Sequence, residues 1–273
     1  MKTIKGFEGI ISLGKKVVVV MPAYNAAKTI KRTFDEIPHD IVDEVIIVDD
    51  GSQDNTVEIA NDIKKMKREK YVKVIVHERN IGYGGNQKTC YTQALEDGAD
   101  IVVMLHADYQ YDPAKIRDMI KVIKDEKADA VLGSRILGKK AREGGMPLYK
   151  YIGNHFLNFI ENLVYRKKLT DYATGYKAYT REVLETIPFI FNRNDFLFDE
   201  EVNAQIIYFG FKLVDVPIPT KYFEEASTVN FFRSVHYGLG TLVVLLKYIL
   251  RKLDVVKFKI FEKSIICNKT HWL

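Results

Sequence analysis

Val17-Val18-Val19-Val20-Met21, closed by Pro22-Ala23-Tyr24-Asn25, is a continuous β-branched run. Such a run marks a strand covered on both faces, as in a parallel sheet held between layers of helix. Glu44-Val45-Ile46-Ile47-Val48 repeats the pattern and ends at Asp49-Asp50-Gly51-Ser52. Val72-Lys73-Val74-Ile75-Val76 is a third strand, 101–105 a fourth and 128–133 a fifth. Helical spacing fills the intervals. Asn25 is expected to cap a helix carrying Ile30, Phe34 and Ile37, and Asp54-Asn55-Thr56 opens one with Val57, Ala60 and Ile63. A helix over 86–97 stops at Gly98, and one over 113–127 buries Ile116, Met119, Ile120 and Ile123. Strict alternation of strand and helix requires right-handed crossovers, hence an α/β fold with a mostly parallel, doubly wound sheet flanked by helices.

After Ser134-Arg135 the rhythm changes. Residues 136–150 hold Gly138, Gly144, Gly145 and Pro147 beside Lys139, Lys140 and Arg142, a loop that reads as a candidate lid. An aromatic-rich helix over 151–165 follows, then a turn over 170–177 leading to a strand, and helices near 181–187 and 199–209. Pro217 and Pro219 make 213–219 an edge strand. The run 234–246 lacks charge but is short of the roughly 18–20 residues that span a bilayer. Its apolar face continues through Ile249 and Leu253 beside Lys247, Arg251 and Lys252, the pattern of an interfacial amphipathic helix. A helix packed on the protein's own core has the same pattern.

The chain has 273 residues, 47% of them hydrophobic and 28% charged, as expected of a globular protein with one large core or two modest ones. Cys90 and Cys267 share no metal or redox spacing, which fits a reducing compartment, and residues 1–8 lack the apolar run of a signal peptide. The net charge of +5 is concentrated beyond Ala226, where eight basic residues face only Asp254 and Glu262. That bias suits an anionic surface. The expected division is a body over 1–225 and a basic amphipathic tail over 226–273.

Three strand ends converge in this topology: Pro22-Ala23-Tyr24-Asn25, Asp49-Asp50-Gly51-Ser52 and His106-Ala107-Asp108-Tyr109-Gln110. Ligands of open α/β sheets bind at the carboxyl ends of the strands. An acidic residue after the second strand accepts hydrogen bonds from a nucleoside, Tyr24 stacks on a base, and Asp108 with Gln110 and His106 ligates a divalent ion. Taken singly, Asp49 or Asp50 also serves as a helix cap, and Tyr24 or His106 as a packed residue. Gly82-Tyr83-Gly84-Gly85-Asn86-Gln87-Lys88-Thr89 is no phosphate loop, because Gln87 stands where glycine must precede Lys-Thr. There is no Gly-x-Ser-x-Gly elbow.

These motifs, with Asn80-Ile81-Gly82-Tyr83-Gly84-Gly85, Gly133-Ser134-Arg135 and Asp171-Tyr172-Ala173-Thr174-Gly175-Tyr176-Lys177, resemble in order and spacing the inverting family-2 glycosyltransferases. In particular they resemble the polyprenyl-phosphate glycosyltransferases, dolichyl-phosphate mannose synthases among them, over about residues 16–225. The resemblance implies a GT-A fold, a nucleotide-diphosphate sugar (UDP, dTDP or GDP) and Mn²⁺ or Mg²⁺. It implies nucleotide-sugar binding by Pro22, Ala23, Tyr24, Asn25, Asp49, Asp50, Gly82, Lys88, Ala107, Asp108 and Arg135. It implies a metal held by Asp108, Gln110 and His106, and catalytic roles for Arg135 at the diphosphate and Asp171 on the acceptor side. His106 stands where such enzymes usually carry the first Asp of Asp-x-Asp; imidazole suits Mn²⁺ better than Mg²⁺. A polyprenyl-phosphate acceptor is already anionic, whereas a saccharide hydroxyl needs a base from Asp171, Asp199, Glu200 or Glu201. Lys221-Tyr222-Phe223-Glu224-Glu225-Ala226-Ser227 replaces the Arg-and-Ser segment usual after the last strand. The expected place is the cytoplasmic membrane face, with peripheral lipid contact and no nucleic acid. The alternatives are the same donor chemistry onto a saccharide, and nucleotide-sugar binding without turnover.

Overall fold

The structure is a computed structural model, which describes residues 14–67, 71–137, 146–219 and 231–263. Seven strands form one sheet: β1 (Val17–Ala23), β2 (Glu44–Asp49), β3 (Val72–Val76), β4 (Ile101–Met104), β5 (Ala130–Ser134), β6 (Lys177–Thr180) and β7 (Leu213–Pro217). Their spatial order is β3-β2-β1-β4-β6-β5-β7. All neighbours are parallel except β6, which runs antiparallel between β4 and β5. The helices are α1 (Ile30–Asp35), α2 (Thr56–Lys67), α3 (Tyr83–Glu96), α4 (Ile116–Lys124), α5 (Leu148–Tyr165), α6 (Arg181–Thr186), α7 (Phe198–Tyr208) and α8 (Phe231–Lys252).

The valine run of β1 explains the layering. Val18 and Val20 enter one core with Tyr91, Phe189 and Phe198, while Val17, Val19 and Met21 enter the other with Ile30, Phe34 and Ile120. Side chains alternate across a strand, so a strand wholly without polar residues must be covered twice. Each fully buried valine contributes roughly 1.5–3 kcal/mol. A carboxylate at Val19, which has no exposed surface and packs among apolar side chains, would break the sheet.

Local details depart from the sequence reading in three places. Asn25 does not cap α1, which begins five residues later at Ile30 behind Thr29. Asn25 instead adopts φ +50 and accepts a hydrogen bond from Gln53 N at 2.8 Å, tying β1 to the turn after β2. The α3 helix begins at Tyr83, because Gly82 takes φ +92 and turns the chain there. The segment 113–127 is a 3-10 turn capped by Asp112, then α4. Residues 138–145, with the basic cluster of the candidate lid, and 220–230, with the segment after the last strand, lie outside the described residues.

The α8 helix packs against α5 and α7. Val244, Leu245 and Tyr248 belong to the same core as β1, as do Ile260 and Phe261 beyond the helix. Only one face of α8 is used in this way: Leu239, Val243 and Leu246 remain exposed. Among the described residues no helix is long and apolar enough to cross a membrane.

Candidate active site

The carboxyl ends of β1, β2 and β4 open into a cleft of about 1280 Å³. Pro22, Ala23, Tyr24, Asp50, Gly82, Lys88, His106, Ala107, Asp108, Gln110 and Arg135 all line it. Asn25, Asp49 and Asp171 do not face it and act from behind.

Asp49 is fully buried and accepts from Ser52 N at 2.9 Å and from the Ser52 hydroxyl, so it shapes the turn after β2. Asp50 accepts from Ile81 N at 2.9 Å, from Gly82 N at 3.1 Å and from His77 at 2.9 Å. It thereby fixes the start of α3 against β2. A Cβ on Gly82 would come within 2.6 Å of the Asn194 carbonyl, and one on Gly84 within 2.5 Å of the Arg193 carbonyl. Glycine is required where the segment before α7 crosses the tip of α3. Lys88 seals that crossing by donating to the Asn192 carbonyl and, at 2.7 Å, to Asn194 Oδ1. Burial pulls the Lys88 amine below its usual range.

His106 sits at the cleft floor, stacked on Tyr83 with ring centroids 5.3 Å apart. Tyr83 gives its proton to Asp199 Oδ2 at 2.7 Å, so the 3.1 Å contact with His106 Nε2 makes the imidazole the donor. The Nδ1 atom then carries the lone pair that a metal requires. Burial lowers the His106 pKa, the carboxylates of Asp108 and Asp199 oppose that shift, and Lys177 reinforces it. A neutral imidazole is the ligating form. Asp108 accepts from Gln110 N at 3.0 Å across Tyr109, which sits at φ +56. Among the described residues no three His, Cys, Asp or Glu side chains form a self-sufficient metal cage. One carboxylate, one neutral imidazole and one amide fit a divalent cation that shares its shell with phosphate oxygens and water.

Arg135 is clamped by Asp171. Its Nε and Nη2 donate to the two carboxylate oxygens at 2.7 Å each, its backbone N adds a third bond at 3.0 Å, and Nη2 also reaches the Ala173 carbonyl at 2.8 Å. Asp171 has no exposed surface, so it orients the guanidinium and stands away from a reacting hydroxyl. Asp199 does line the cleft, with Gln87 Nε2 at 3.3 Å and the fully buried Lys177 ammonium at 3.1 Å.

The sequence reading missed Tyr83 and Phe196 as walls of the cleft, the seal over 192–195, and the contributions of α5 (Tyr149, Gly153, Leu157) and α8 (Ser234, Tyr237). Lys177 was visible in the 171–177 motif, but only the antiparallel insertion of β6 places it beneath Asp199.

Comparison with known proteins identifies this arrangement. The family model for glycosyl transferase family 2 matches residues 18–188, which contain the strand ends, the α3 tip, Arg135 and Asp171. The chain belongs to glycosyl transferase family 2. It is a glycosyltransferase with a GT-A fold. A UDP-N-acetylglucosamine–dolichyl-phosphate N-acetylglucosaminyltransferase of Methanococcus voltae is 35% identical over 183 residues, 63% of this chain and 72% of that protein. A polyprenol monophosphomannose synthase of Mycolicibacterium smegmatis is 25% identical over 207 residues, 75% of this chain and 77% of its own. Among solved structures, glucosyl-3-phosphoglycerate synthase of Mycobacterium tuberculosis, in complex with Mn²⁺, UDP and its product, superposes with a TM-score of 0.62. It is 17% identical, with 86% of this chain and 80% of that one covered. That enzyme has also been solved with Mg²⁺ and UDP.

Proposed function

We propose that this glycosyltransferase moves a sugar from a UDP-sugar donor to a polyprenyl phosphate at a membrane surface, with inversion and with a divalent metal. One observation carries the reading: the acceptor end of the cleft is walled by α5 and α8, the two helices whose outer faces are exposed and apolar. On α5, Ile152, Phe156, Phe159 and Leu163 are each 59–69% exposed at helical spacing. Leu239, Val243 and Leu246 continue the face on α8. An apolar face bordered by a basic-rich sequence fits an anionic bilayer, which supports an acceptor with an isoprenoid chain. The names of the methanogen and mycobacterial relatives support the same acceptor class.

Within the cleft, the exposed Tyr24 ring stacks on the base, and the turn held by Asp50 takes the ribose end. His106, Asp108 and Gln110 would hold the metal, which supplies charge stabilisation to the departing diphosphate. Arg135, kept in register by Asp171, adds a fixed positive charge on the same leaving group. An oxygen of the acceptor phosphate forms the new bond to the anomeric carbon as the bond to the diphosphate breaks. The nucleoside diphosphate departs, and no proton has to be removed from the nucleophile. The second reading, transfer to a saccharide hydroxyl, has Asp199 in its favour as a cleft-lining carboxylate.

The test is transfer of labelled sugar from UDP-N-acetylglucosamine to polyprenyl phosphate with Mn²⁺, read in the organic phase. Label in the organic phase that vanishes on adding a chelator is the expected result. Label found only on an added oligosaccharide would overturn the acceptor assignment.

A further inference from the structure

Lys177 opens β6, and the antiparallel register sets it opposite Met104 of β4, just before His106 in the chain. It has no exposed surface. Its ammonium lies 3.1 Å from Asp199 Oδ1 and makes no hydrogen bond among the described residues, so it acts on that carboxylate by charge. Asp199, matched by this charge, is an acceptor only. Its Oδ1 takes Gln87 Nε2 at 3.3 Å, and its Oδ2 takes the Tyr83 phenol proton at 2.7 Å. One role is left to Tyr83 toward His106, 3.1 Å away: its oxygen accepts from Nε2–H. Both rings are held in place. Phe196 packs on Tyr83 with centroids 4.7 Å apart, and a Cβ on Gly175 would come within 2.8 Å of His106 Cδ2 and Nε2. The other ring nitrogen, Nδ1, makes no hydrogen bond among the described residues, and the ring lines the cleft.

We propose that Lys177 is a positioning residue that, through Asp199 and Tyr83, fixes His106 in its Nε2–H tautomer and so keeps the Nδ1 lone pair for the metal. The proposal rests on the reading of His106 as a metal ligand. A carboxylate at position 106 would offer lone pairs on both oxygens and need no such device. An imidazole offers one, and the hydrogen bond at the other nitrogen decides where it lies. The chain of hydrogen bonds has a direction, set at its buried end by the ammonium. Without that charge the buried carboxylate takes a proton from water and donates it to the Tyr83 oxygen. The phenol proton then turns to Nε2, and the ring exchanges its Nε2 proton for one at Nδ1, where it blocks the metal.

The ¹⁵N ring shifts of His106 in the metal-free protein at about pH 8, assigned by their loss in His106→Gln, test the tautomer directly. Mn²⁺ binding in the presence of UDP, read from the spin resonance of the free ion, tests its consequence without turnover. In the wild type Nδ1 should be unprotonated and Nε2 protonated. Lys177→Met should move the proton to Nδ1 and weaken Mn²⁺ binding by about tenfold or more. Tyr83→Phe removes the acceptor, should mix the two tautomers with a loss of affinity in the same direction, and serves if Lys177→Met does not fold. A wild-type ring protonated at Nδ1, or variants that keep the tautomer or the affinity of the wild type while His106→Gln loses affinity, would overturn the proposal. If His106→Gln binds Mn²⁺ as tightly as the wild type, the reading of His106 as a ligand falls first and the proposal with it.

Discussion

Replacing Asp171 by Asn removes one charge and puts an amide donor against the guanidinium donors of Arg135. Asp171 has no exposed surface and accepts three hydrogen bonds from Arg135, whose side chain is only 10% exposed. Breaking a buried, bidentate pair on one side costs about 3–5 kcal/mol, because the partner keeps its charge without compensation. At roughly 2 °C per kcal/mol for a chain of this size, Tm should fall by about 6–10 °C. The double variant Asp171→Asn with Arg135→Met should recover much of that loss, since no uncompensated charge remains, while transfer activity stays low. Differential scanning calorimetry gives the stability cycle, and kcat/KM on the same preparations gives the catalytic one. A single variant within 1–2 °C of wild type would refute the view of Asp171 as the residue that positions Arg135. So would a double variant that regains activity.

Asp108→Ala should leave the fold unchanged and lower kcat by about 100-fold or more, with loss of the Mn²⁺-dependent thermal shift by UDP. Unchanged turnover would remove Asp108 from the metal site. His106→Asp should move metal preference from Mn²⁺ toward Mg²⁺, read as activity across a metal series; an unaltered series would show that the imidazole does not ligate. For the apolar face, Phe156→Ser with Phe159→Ser should lower flotation with anionic liposomes by about 100-fold or more, at roughly 1.5–3 kcal/mol per phenylalanine. Equal flotation would exclude α5 as the docking helix. Glu161 adds a pH dependence of stability. Its carboxyl titrates higher in the folded state than its ordinary 4.5, so its contribution is complete below that value and is lost as pH climbs through the raised one. Denaturant midpoints should therefore decline with pH in the wild type more steeply than in Glu161→Gln.

The fold was legible because the strands that carry it are buried on both faces. Val17 to Met21 and Val45 to Val48 contain no polar residue, as a strand covered on both faces requires, and their β-branched side chains and the alternation with helices made the sheet parallel. The strand ends were legible for the same reason, since polar residues resume where the cover stops. The antiparallel β6 was less so: a four-residue strand with a buried lysine has no periodicity that reveals its direction. Asn25 and Asp49 were read as ligand contacts or caps, and their hydrogen bonds run to the turn over 52–53; Asp49 does so locally, whereas Asn25 reaches it across 28 positions, a partnership that spacing does not encode. Glu161 and Glu200 were hidden most deeply. Acidic residues on helices read as solvent-facing, and only the packing of α5 and α7 against α8 leaves these two in the interior.

The most direct test puts UDP-N-acetylglucosamine, Mn²⁺, polyprenyl phosphate and an oligosaccharide at equal concentration in one tube, with products read by mass spectrometry. Glycosylated polyprenyl phosphate formed in step with UDP, and absent with Asp108→Ala, is the predicted result. Glycosylated oligosaccharide alone, or UDP released with neither product, would contradict it.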